Sequence, residues 1–289
     1  MSTIQHKEFT TSTKRKVVVN VETYLSADDV VKDNERRTMT SSSFMDMKNK
    51  SMCKGFEGVE SYDEAMDLFR NGYQPTVESL KSALKVNVSG TKKRVSFQNE
   101  VAGFQPVVPL ALMNVPNCMV NTRIKTIKCK VIDVYYDMTV NCGISPEDII
   151  ENGKKVLSAI IDLERQGYKF NLYAVQSYQS GCDGDMLCVK VKSSDKPLDL
   201  KRMSFSLTHP AFFRVVGFDW YSKCPVAKYR SGYGRAFAYD MSKQERKELA
   251  ENVFGKGAVY ISHKNVMGVP DEKLKEVFLN ESGNNRSKT

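Results

Sequence analysis

The segment Lys228–Phe237, KYRSGYGRAF, holds the densest set of groups suited to ligand contact. Arg230 and Arg235 flank Gly232 and Gly234, with Tyr229, Tyr233 and Phe237 interleaved. Glycines let backbone N–H groups approach a phosphate, arginines fork onto it, and tyrosines stack on unpaired bases. The same residue types suit a protein–protein contact, where Tyr and Arg are favoured anchors. A structural loop with half-buried tyrosines is a third role they fit. The other basic clusters are Lys14-Arg15-Lys16, Arg36-Arg37 and Lys92-Lys93-Arg94. Each is short enough to be an ordinary solvated face or loop.

The remaining groups with chemical potential have structural readings beside their functional ones. His209 precedes Pro210 at a helix start, where it can serve as a base or phosphate contact, or cap the helix. No paired nucleophile lies near it in sequence. Glu147-Asp148, and Glu245 with Glu248, fall on surface helical positions where solvation and capping account for them. Asp183-Gly184-Asp185 lacks the ligand periodicity of a calcium loop and reads as a hairpin turn. No hydrolase elbow, P-loop, dinucleotide fingerprint or HExxH motif occurs. The expectation is a non-enzymatic protein without a cofactor.

Composition sets the class. Apolar residues make up 41% of the 289 and charged residues 27%, so the chain has material for a real core. Seven cysteines at irregular spacing, with no CxxC pair, fit reduced thiols and neither a disulfide framework nor a zinc finger. No apolar run reaches the roughly 20 residues of a membrane span, and the polar N-terminus lacks a secretory signal pattern. The expected location is cytoplasmic and unanchored. A net charge of +9 favours acidic partners, nucleic acid first among them.

The elements that must position these groups divide into four stretches. Residues 1–60 read as a polar, partly flexible arm with one strand at Val17–Leu25. Residues 61–122 read as a helical hairpin followed by a three-proline loop. Ser61-Tyr62-Asp63-Glu64 forms a capping box and Asn71-Gly72 a stop. The loop, GFQPVVPLALMNVPNCMVN, is apolar enough to be expected against the main domain. Residues 123–279 read as an α/β domain: a strand at Ile127–Met138, a helix entered through Ser145-Pro146-Glu147-Asp148, and a strand at Tyr168–Tyr178. A hairpin-connected antiparallel strand, two helices, and a helix–strand–helix follow. Residues 280–289 are a polar tail expected to fray.

That order resembles the von Willebrand factor A-type domain from about Arg123 to Leu279. The resemblance implies a three-layer, Rossmann-type, mostly parallel sheet with one antiparallel strand. It also implies a divalent-metal loop, Asp-x-Ser-x-Ser, after the first strand. The matching residues here are Asp133-Val134-Tyr135-Tyr136-Asp137, with Tyr and Asp in the serine positions, and no acidic residue ends the later strand AVYISHK. Asp133 and Asp137 remain the metal candidates, and two carboxylates supply few ligands for a hard cation. SYDEAMDLFRNGY, VPLALMNVPNCM and the segment Lys128–Gly167 are similar to uncharacterised tailed-phage proteins. This implies a phage-encoded protein in the host cell cytoplasm or the virion.

Together these features predict a binding or assembly protein acting through a protein partner or self-association, as a virion component or an inhibitor of a host defence complex. Nucleic-acid binding through the basic and Arg-Tyr-Gly segments, and a metal-dependent adhesion module or enzyme, are the alternative functions.

Overall fold

Val131 to Asp137 (VIDVYYD) carries apolar side chains on both faces, the pattern of a strand covered by layers above and below. It becomes an interior strand of a computed structural model that describes residues 2–39, 46–84, 93–126, 131–180, 183–225 and 235–281.

The chain begins with β1 (Thr3–Thr10), β2 (Lys16–Tyr24) and α1 (Ala27–Arg36), then α2 (Tyr62–Asn71) and α3 (Gln74–Leu84). β3 (Lys93–Glu100), β4 (Gln105–Pro106), α4 (Val108–Leu112) and β5 (Met119–Thr126) follow. The α/β region runs β6 (Val131–Asp137), α5 (Pro146–Arg165), β7 (Lys169–Ser180), β8 (Asp183–Lys192) and α6 (Leu200–Thr208). A π-helical turn (Phe212–Gly217) leads into α7 (Phe218–Lys223), and the chain closes with α8 (Lys243–Val253), β9 (Val259–Ser262), α9 (His263–Val266) and α10 (Asp271–Glu281).

Six strands form one sheet in the order β1-β2-β8-β7-β6-β9. Three neighbouring pairs are parallel (β2/β8, β7/β6, β6/β9), and two are antiparallel (β1/β2, β8/β7). β2 and β8 therefore run against the other four strands, where the sequence reading expects one such strand. Alternate residues feed two cores. Val134, Tyr136, Leu172, Leu187 and Ile261 face one layer of helices; Val19, Tyr135, Val175, Cys188 and Tyr260 face α8 and the segment 237–241. Helices thus lie on both sides of the sheet.

Local signals place the helices well. Ser61, Ser145 and Ser242 each accept a backbone N–H three residues on, fixing the starts of α2, α5 and α8. Gly72, at φ 77, ends α2 as read. Gly153 lets α5 approach the α6 terminus closely, since a Cβ there would lie 2.2 Å from the Leu207 carbonyl oxygen.

Three sequence expectations are corrected. The supposed arm is a hairpin plus helix built into the sheet, with β2 parallel to β8 (Val18 beside Asp183, Tyr24 beside Val189). β1 escaped notice because an edge strand exposed along most of its length has no apolar alternation to read. Asp183, Gly184 and Asp185 belong to β8, not to a turn. The three-proline loop forms β4, α4 and the start of β5, and it keeps large apolar side chains in solvent instead of burying them.

Candidate interaction surface

The basic triplet Lys14-Arg15-Lys16 forms the β1–β2 turn. Lys14 takes a left-handed conformation at φ 63, and Lys16 Nζ pairs with Glu8 at 2.6 Å. The turn is held against α8, where Ser12 N donates to Glu248 and the Thr13 hydroxyl to Glu245 at 2.6 Å. The Thr13 hydroxyl, together with the Ser242 cap, holds the Glu245 carboxyl down at about 2. The two glutamates, which solvation seemed to explain, anchor the chain's first hairpin across more than 230 residues.

Tyr229, Arg230 and Tyr233 lie outside the described residues. Arg235 is exposed, and its carbonyl accepts Gln179 N at 3.0 Å. Phe237 N donates to Ser177 Oγ at 3.1 Å. The end of the Arg-Tyr-Gly segment is therefore pinned at the C-terminal ends of β6 and β7.

That point holds Asp137, which is fully buried. Its carboxylate accepts from the Ser177 and Tyr260 hydroxyls and from Thr139 N. Burial pushes the Asp137 carboxyl up, against the opposing pull of these three donors. Asp133 lies four residues away, roughly 13 Å along an extended strand, and accepts from Asn171 Nδ2 at 2.7 Å. The two metal candidates therefore do not converge. Among the described residues no three His, Cys, Asp or Glu side chains gather as a metal-holding group.

His209 is buried where α6 ends. Its ring stacks on Phe205 and meets Tyr73 edge-on, and Nδ1 accepts from Ala211 N. Burial drops it to about 4, so it is neutral at physiological pH and acts as a cap. His263, which the sequence did not single out, lies between Tyr136 OH and Asn152 Nδ2 and is also lowered to about 4 by burial.

The group most accessible to a partner is apolar. β3, β5 and β4 form a separate three-stranded sheet in that order, with α4 in the connection between β4 and β5. Phe97, Val101, Phe104, Val108, Leu112 and Met113 are all exposed there, Leu112 to 81%. Chemically the surface offers hydrophobic burial together with β3, an outer strand in the order β3-β5-β4. The run of apolar residues around the three prolines is the sequence signal for this surface; it suits packing on the main domain and docking onto a partner or a second copy alike.

A family model described as Domain of unknown function (DUF7192) matches residues 8–278. No curated protein and no solved structure matches the chain. The matched stretch contains the whole of the three-stranded module and all but the first residues of the six-stranded sheet.

Proposed function

The chain belongs to this family of unknown function, DUF7192, and from that premise we propose that it is a non-enzymatic binding or assembly protein whose docking element is the β3–β5 module. The observation that carries this reading is the exposure of Phe97, Phe104, Leu112 and Met113 on a sheet separate from the main one. Leaving such residues in water forgoes about 1.5–3 kcal/mol each relative to burial, which a partner can recover.

The partner is a second copy. β3 paired antiparallel with itself about a two-fold axis between Ser96 and Phe97 sets Lys93 opposite Glu100 and Arg94 opposite Asn99. Opposite charges facing across a new strand pair favour that register. A virion component and an inhibitor of a host defence complex would both act through such a surface. The order of elements from Val131 to Glu281 also supports a von Willebrand factor A-like main domain, with β1, β2 and α1 added at its β8 edge.

Light scattering across protein concentration and salt tests the proposal. The expected result is a dimer that persists in high salt and falls to monomer in Phe97→Asp. Lys93→Glu alone should weaken it, and Lys93→Glu/Glu100→Lys should restore it. A wild-type monomer at all concentrations, or a dimer indifferent to these changes, overturns it.

A further inference from the structure

On the face of the sheet covered by α1, α2 and α6, a cleft of about 280 Å³ opens where two parallel strands end. β2 runs out at Tyr24 beside β8, which runs out at Lys192. These strands point opposite to β6, β7 and β9, so the cleft lies at the other end of the sheet from Asp137. The β2–α1 connection (Leu25, Ser26), the first turn of α1, the end of α2 (Phe69, Arg70), the β8 end and α6 (Arg202, Ser206) wall it.

The lining is strongly one-signed. Arg70, Lys190, Lys192, Lys196 and Arg202 face a single acid, Asp28. Two of the cations are already committed. Lys192 Nζ is buried against Glu164 at 2.6 Å, and Lys190 Nζ sits 5.7 Å from the Tyr173 ring centroid. Arg70, Lys196 and Arg202 are exposed at the rim and can turn inward; Arg202 is held only at 3.8 Å from an exposed Asp199. Clefts with one sign of charge and low-dielectric walls concentrate counter-ions.

We propose that this cleft binds the phosphate of a small phosphorylated ligand about the size of a mononucleotide. Three exposed cations at the rim of one cleft suit a phosphate dianion, to which arginines fork in pairs of hydrogen bonds. Phe69 and the 70%-exposed Leu25 supply an apolar wall for the remainder of the ligand. The ends of parallel strands, with a helix starting just beyond, are where α/β sheets place such ligands. A volume of about 280 Å³ accommodates one nucleotide unit.

Calorimetric titration of the full chain with pyrophosphate, adenosine and uridine monophosphates, and a ten-residue deoxythymidine oligonucleotide tests this. Sodium sulfate at matched ionic strength serves as the control. The expected result is saturable binding of a mononucleotide or pyrophosphate, weakened at least tenfold in Lys196→Glu and in Arg202→Glu. Both positions are solvent-exposed, and melting of each unliganded variant at the wild-type temperature certifies its fold. Absence of binding by every phosphate at millimolar concentration overturns the proposal. So does affinity unchanged in both variants, or oligonucleotide binding that a mononucleotide fails to displace.

Discussion

The Arg214 guanidinium lies over the Phe56 ring, its Cζ 4.1 Å from the ring centroid, and Nη1 donates to the Phe56 carbonyl oxygen. Nη2 donates to the Ile144 carbonyl at 2.8 Å. One fully buried side chain from the π-helical turn thus ties the turn at 53–57 to the loop that follows β6. Burial lowers it to about 10, which leaves it cationic at neutral pH.

Arg214→Met keeps much of the volume but strands two part-buried carbonyls. Each unpaired carbonyl costs about 1–3 kcal/mol, partly offset by removal of a buried charge. The expected net loss is about 2–4 kcal/mol in urea unfolding. Arg214→Lys should recover only part of it, because an ammonium lacks the planar fork that reaches both carbonyls and stacks on Phe56. Stability equal to wild type in Arg214→Met would mean that desolvating the charge cancels its hydrogen bonds.

Acid should unfold the protein early. His209 and His263 each fall from an ordinary 6.5 to about 4 because burial disfavours the cation. A depressed native value means the contribution is complete above the unfolded value of 6.5 and is lost as pH falls through about 4. Each histidine accounts for at most about 3 kcal/mol over that window. Urea midpoints at pH 7.5, 5.5 and 4.2 should fall, most steeply per pH unit between the last two. His209→Gln/His263→Asn should flatten the slope, and an unchanged slope would assign the acid sensitivity to carboxylates.

Asp137 behaves in the opposite sense. Burial raises its native value above 3.8, so the contribution is greatest below the unfolded value and declines as pH rises through the native one. Asp137→Asn keeps an oxygen for Thr139 N and an amide for the Ser177 and Tyr260 hydroxyls. Its stability relative to wild type should therefore improve from pH 4 to pH 7, and a difference independent of pH would show the native carboxyl to be unperturbed. Magnesium should leave the melting temperature of both proteins unchanged, because Asp133 and Asp137 sit too far apart to share an ion.

Much of the helical layer was legible because its information is local. Ser145-Pro146-Glu147-Asp148 and the apolar face running through Ile149, Val156, Ile160 and Leu163 lie within one window, and the helix forms there. The candidate surface was less legible. The apolar run around Val108 and Leu112 has the composition of core, and composition does not report whether a neighbour exists to cover it. The anionic-ligand cleft was invisible, since Arg70 lies far in sequence from Lys196 and Arg202 and none belongs to a motif.

The sequence by itself determined the α/β class, the β6–α5–β7 unit, the β7–β8 hairpin and most helix boundaries. Capping, periodicity and short connections act over a few residues and need no distant partner. Only the tertiary structure decided that the first 36 residues complete the sheet, that Asp133 and Asp137 stay apart, and that the three-proline segment faces water. Those outcomes depend on pairings such as Val18 with Asp183, whose free energy comes from surfaces 165 residues apart and leaves no periodic trace in either strand's neighbourhood.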